Sequence, residues 1–219
     1  MYKKFRFENE AEEWFSKNYS KFLIKTHDES LELDTLGSAI FSYTGSMSKV
    51  YNDILMCING DIDLINSVSN ITFDEKQDIK ILYNAFEYNT ISEDIYLYHY
   101  FNKKSSKFNI KKNGIIQINK FISTTCIPNI QNLEKMSKEH NYNSVLKIRV
   151  KKGTACIPVG NNPKSLLKEY EIILKPKSKF RIINIKHNIF GKPKTEIECE
   201  VLWLSYKCEK YLITLNFVI

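Results

Sequence analysis

The sequence is poor in the residues that build metal sites and disulfide frameworks. Its five cysteines, Cys57, Cys126, Cys156, Cys199 and Cys208, are scattered, and none forms a CxxC or another metal-ligand spacing. The odd count argues against a disulfide framework and for a reducing compartment. The four histidines, His27, His99, His140 and His187, make no HxxxH pair, so no metal is expected. With 7 glycines and 5 prolines there is little material for long disordered linkers. No window approaches 18 apolar residues, so no membrane-spanning helix is expected. "MYKKFRFENEAEEWF" has charge but not the apolar run of a secretory signal. The expected place of action is a cytosol, and delivery by a specialised machine would leave no readable mark in the sequence.

What is present supports one substantial core. Of the 219 residues, 43% are hydrophobic and 13% aromatic, enough for a single domain over 1–219. The net charge of +7 favours acidic partners. The densest basic run, "NKKSSKFNIKK" (102–112), reads as a solvated loop. No nucleic-acid-binding signature accompanies it, so nucleic acid is not an expected partner. Nothing in the sequence specifies an oligomer, and a monomer is the default.

Helical periodicity fills the first ninety residues and strand periodicity the rest. In "NEAEEWFSKNYSKFL" (9–23) the apolar residues Ala11, Trp14, Phe15, Tyr19 and Phe22 recur at helical spacing. "SMSKVYNDILMCING" (46–60) places Val50, Ile54, Leu55 and Cys57 inward, with Gly60 as a stop. "TFDEKQDIKILYNAFEY" (72–88) opens on Thr72 with acids in its first turn. Strands are expected at 94–101, 114–125, 144–150, 179–187, 196–206 and 210–219, and a short helix or ordered loop at 129–140. Helices followed by strands give an α+β fold: a helical part over 1–90 packed on a mixed, mainly antiparallel two-sheet β core over 91–219.

Four stretches carry chemistry-bearing residues. "FSYTGSMSKVYN" (41–52) reads as a turn into a helix, Ser46 capping it with Gly45 in the turn. "IYLYHYF" (95–101) puts His99 inside an apolar strand. There it is either a satisfied core residue or a donor to a ribose or phosphate. "FISTTC" (121–126) ends a strand in Ser123, Thr124 and Thr125, as edge decoration or as braces for a carboxylate across a cleft. "LLKEYEIILKP" (166–176) follows a Gly/Asn/Pro loop. If it is a strand, Glu169 and Glu171 project side by side, with Tyr170, Ile172 and Leu174 on the other face. Such a pair is either a solvated strand face or a functional one.

In this order the four stretches resemble the mono-ADP-ribosyltransferase family of bacterial exotoxins and effectors, from about residue 40 onward. "FISTT" resembles the family's aromatic-x-Ser-Thr-Ser strand, and "EYEIIL" its Glu-x-Glu motif. "ILKPKSKFRIINI" is similar to the Leu-Pro-x-Gly-x-x-Phe run that follows, and Tyr43 with Asn52 to a Tyr and an Asn nine residues on. One place departs from the pattern. The first strand of the family carries an Arg after Tyr that grips the NAD phosphates; here the dipeptide is Tyr98-His99. A His there resembles the diphtheria-toxin and poly-ADP-ribose polymerase branch, where it holds the nicotinamide-side ribose.

The resemblance implies an NAD-dependent transfer of ADP-ribose to a side chain of a target protein, with release of nicotinamide. Glu171 would be the catalytic carboxylate, Ser123 its brace, and Glu169 the group facing the acceptor, arginine by the family's Glu usage. His99, Tyr43, Asn52, Tyr98 and Thr124 would contact NAD, and the loop 160–168 would meet the target protein. Two alternatives share the fold: an NAD glycohydrolase with water as acceptor, and an inactive NAD- or protein-binding module.

Overall fold

The computed structural model describes residues 1–32, 34–102, 110–128, 142–161, 170–188 and 195–202. Helix α1 (Glu8–Asp28) buries Ala11, Trp14, Phe15 and Tyr19, the stripe read from the sequence. Its start is held by Glu10, whose carboxylate accepts from the backbone N–H groups of Arg6 (2.6 Å) and Phe7 (3.3 Å). A short helix, α2 (Leu36–Ser42), was not foreseen. Thr35 caps it by accepting from the Ser38 N–H at 3.1 Å.

Between α2 and α3 (Ser48–Cys57) the chain does not turn as expected. It continues through one wide π-helical turn, Tyr43–Met47, and Ser46 caps nothing, because α3 begins without a side-chain cap. Such widened turns occur often at functional sites. α3 buries Ile54 and Leu55, but Cys57 is exposed rather than inward. Gly60 is the stop foreseen: its φ is +67°, and its N–H donates to the Leu55 carbonyl at 2.7 Å. A Cβ there would also lie 2.9 Å from the Asn119 carbonyl oxygen. Helix α4 (Phe73–Ala85) opens with a reciprocal cap. The Thr72 hydroxyl accepts from the Glu75 N–H, and the Glu75 carboxylate accepts from the Thr72 N–H.

Eight strands follow: β1 (Ile95–Phe101), β2 (Ile115–Ile118), β3 (Ile122–Thr125), β4 (Ser144–Val150), β5 (Cys156–Gly160), β6 (Glu171–Leu174), β7 (Ser178–His187) and β8 (Thr195–Val201). The expected strand 114–125 is two strands, β2 and β3, broken at Asn119–Phe121. The stretch around 158, read as loop, begins inside β5. That strand lies at the sheet edge, where Pro158 is tolerated because the edge ladder needs fewer donors. The expected elements at 129–140 and 210–219 lie outside the described residues.

The strand order is β2-β7-β8-β4-β1-β3-β6-β5. All neighbouring pairs are antiparallel except β4 and β8. The mixed, mainly antiparallel character is therefore as expected. The two-sheet division is not: the described strands form one continuous sheet. Its weak seam is β1–β3, which pair only at Tyr98 and Thr125.

Alternation sorts the β3/β6 side chains to two cores. Ile122, Ile172 and Leu174 join the core under α1 with Trp14 and Phe15. Phe121 and Ile173 join the core of α2–α4 with Tyr43, Leu55 and Leu82. β3 and β6 are thus buried on both faces, which fixes the residues at the seam.

Candidate active site

The seam between β1 and β3 holds the chemistry. Where further strand pairing would lie, the His99 Nδ1–H donates across the gap to the Ser123 carbonyl at 2.7 Å. On the other flank of β3, the Ser123 hydroxyl donates to Glu171 Oε1 at close range. Glu171 opens β6 opposite Thr125 and is 6% exposed. His99, Ser123 and Glu171, three residues singled out from the sequence, therefore form one connected row across β1, β3 and β6.

Burial and the nearby Lys120 push the His99 imidazole down to about 4, against the pull of the Ser123 carbonyl. At neutral pH the ring is uncharged. The carbonyl can only accept, so Nδ1 carries the proton and Nε2 is an acceptor. His99 therefore offers a hydroxyl a lone pair and offers a phosphate no charge. Between its ordinary value of 6.5 and about 4, an unfolded chain binds a proton here that the native chain does not. Stability should then fall as pH is lowered through that window, and the slope should flatten in His99→Gln. Thermal unfolding followed from pH 7 to pH 4 checks this; identical slopes in both proteins would contradict it.

Tyr43, Asn52, Tyr98 and Thr124, the other residues expected to contact NAD, each make contacts within the protein. Tyr43 is 1% exposed, and its hydroxyl faces the Phe121 carbonyl (3.5 Å) and the Asn52 side-chain amide (3.4 Å). Asn52 Oδ1 accepts the Phe121 N–H at 3.0 Å. Both residues thus hold the backbone two positions before Ser123. Burial, then the field of Glu171, pushes the Tyr43 phenol up, so the phenol and the carboxylate feel one another. Tyr98 packs with Tyr96 and Val145. Thr124 is 3% exposed, and its hydroxyl donates to the Ile172 carbonyl at 2.5 Å. Alternation turns Thr124 away from Ser123, so its hydroxyl ties β3 to β6 and presents almost no surface to a ligand.

Of the two glutamates, only Glu171 lies within the described residues. β6 begins at Glu171, and Tyr170 has φ +45°, left-handed backbone that bulky residues avoid. The strand alternation that placed Glu169 beside Glu171 therefore does not extend through Tyr170; Glu169 itself lies outside the described residues. Tyr170 is held by its surroundings. It is 1% exposed, its ring lies 6.2 Å from that of Phe15 on α1, and its carbonyl accepts from the Cys126 N–H. Strain of this kind persists where the surroundings over-determine it, and it clusters at functional sites.

Sequence reading missed Lys120, which was counted only in the general lysine excess. It precedes Phe121 in the β2–β3 break and is 8% exposed. A lysine inside an apolar run was the signal available. Treating 114–125 as one strand hid it.

A model of the ADP-ribosyltransferase exoenzymes matches residues 11–204. The chain belongs to that family. Solved structures agree in fold. An S. aureus protein solved with NAD is 17% identical, with a TM-score of 0.68 over 92% of this chain and 98% of its own. An ADP-ribosyltransferase from Clostridium botulinum is 18% identical, with a TM-score of 0.66 over 92% of this chain and 98% of its own. An ADP-ribosylating toxin of a binary enterotoxin of C. perfringens, solved with NADH, is 20% identical. Its TM-score is 0.67 over 91% of this chain and 50% of its own. No curated protein sequence matches. Family membership makes this chain an ADP-ribosyltransferase, and the row His99–Ser123–Glu171 lies within the matched residues.

Proposed function

We propose that the protein transfers ADP-ribose from NAD to a side chain of a target protein, arginine being the acceptor, and releases nicotinamide. The observation that carries this reading is the Ser123–Glu171 hydrogen bond between β3 and β6, with a neutral His99 bound to Ser123 across the β1–β3 seam. NAD is the donor in keeping with the family, and the similar S. aureus protein was solved with it. The bond from ribose C1′ to the nicotinamide nitrogen breaks, and its electron pair leaves with neutral nicotinamide. Glu171 stabilises the cationic ribose that develops, through charge or through a 2′-hydroxyl bond that strengthens in the transition state. Ser123 orients that carboxylate, and the His99 Nε2 lone pair can accept a ribose hydroxyl. The acceptor guanidine then attacks C1′ and gives up a proton to Glu169.

Agmatine, a small guanidine, tests the acceptor assignment. It should accelerate nicotinamide release by the wild type and become labelled from NAD carrying label in its adenosine moiety. Glu169→Gln should keep release into water but lose both the acceleration and the label. Agmatine that never takes label would overturn the arginine assignment.

A further inference from the structure

Among the described residues, a buried cation beside His99 has no counter-charge in contact. Lys120 is 8% exposed, and its ammonium makes no hydrogen bond or ion pair among the described residues. The chain on either side of it is fixed. Asn119, 1% exposed, accepts from the Gln117 amide at 2.7 Å, and the Phe121 N–H is bound by Asn52. Among the described residues, the charged and titratable groups that act on Lys120 or feel its field are Asp53 of α3 and His99 of β1. Asp53 is exposed and beyond ion-pair distance, and His99 is neutral. Desolvating an ammonium is costly unless an anion compensates it. Such a lysine is held ready for a ligand that brings negative charge.

The location selects the ligand. Lys120 lies three residues before Ser123, and its field reaches His99. It is therefore next to the groups that would hold the ribose. In NAD the negative charge nearest to the nicotinamide-side ribose is the diphosphate. We infer that Lys120 is the contact for the diphosphate of NAD in this protein, supplying the positive charge that His99 does not. This rests on NAD being the donor.

The test is calorimetric titration of NAD, ADP-ribose and phosphate-free nicotinamide riboside into the wild type, Lys120→Met and Lys120→Arg. Lys120→Met should weaken NAD and ADP-ribose by roughly 10- to 100-fold, the loss of one charge-assisted contact. The riboside should bind as before, and Lys120→Arg should retain most of the affinity. A second arm needs no methionine variant. Burial lowers the Lys120 ammonium to about 8. Wild-type affinity for NAD should therefore fall as pH rises through 8, where the free ammonium loses its proton, and Lys120→Arg should show no such fall. Equal NAD affinity in Lys120→Met, or a wild-type profile flat through pH 8, would overturn the assignment of Lys120 and leave NAD as donor. A wild type that binds no NAD would sink the donor reading as well.

Discussion

Glu171→Gln should lower kcat for nicotinamide release by roughly 10²–10³-fold while leaving NAD affinity within a few-fold. The substitution keeps the size of the side chain and an oxygen that can accept from Ser123. What it removes is the negative charge, which matters most in the transition state, when the positive charge spread over the bound nicotinamide ring moves onto the ribose. Glu171 is 6% exposed, so water cannot substitute for it efficiently. Single-turnover rates with separately measured NAD affinity separate the two quantities. A variant that lost affinity in proportion to rate would place Glu171 in ground-state binding instead.

Phe121→Ala should destabilise the fold by about 3–5 kcal/mol, the usual cost of truncating a buried Phe. Its ring is 1% exposed and sits between two others, edge-on to Tyr43 at 5.5 Å and stacked on Phe86 at 6.1 Å. Nothing nearby can collapse into the gap cheaply, because Phe86 belongs to the same core and Tyr43 is tied to Asn52. Domains hold only about 5–15 kcal/mol in total, so this is a large share. For a chain of this length it corresponds to a fall in Tm of roughly 6–20 °C. The loss should also reach the site, because the Phe121 backbone is the point from which Asn52 and Tyr43 fix β3. Thermal unfolding measures the first effect. Residual nicotinamide release well below the melting temperature measures the second. A variant within about 1 kcal/mol of the wild type would mean the core repacks.

How far the site was legible in the sequence follows from what local pattern encodes. Strand alternation correctly put Ile172 and Leu174 into one core, which Tyr170 joins from outside the strand, and the hydroxyls of "FISTT" did mark the strand that braces Glu171. The same alternation implies that Thr124 faces away from Ser123, an implication the motif resemblance obscured. Tyr43 and Asn52 were found, but their task in this fold, holding the Phe121 backbone, depends on a contact 69 residues away for Asn52 and 78 for Tyr43. No local window contains such a contact. The left-handed Tyr170 is set by Phe15 on a distant helix, and a Tyr gives no local warning of positive φ. Pro158 hid β5 because its tolerance depends on the strand lying at an edge. Lys120 was invisible for a related reason. Its burial goes with the break between β2 and β3, and the Phe121 side of that break is held by Asn52 of the distant α3.

The most direct test of the central claim is nicotinamide release from NAD by the wild type and by Glu171→Gln, followed together with label transfer from adenosine-labelled NAD to proteins of a host-cell lysate. The expected result is release by the wild type, a labelled protein band, and loss of both in Glu171→Gln. Equal release by the two proteins, or neither release nor label from a wild type that binds NAD, would contradict it.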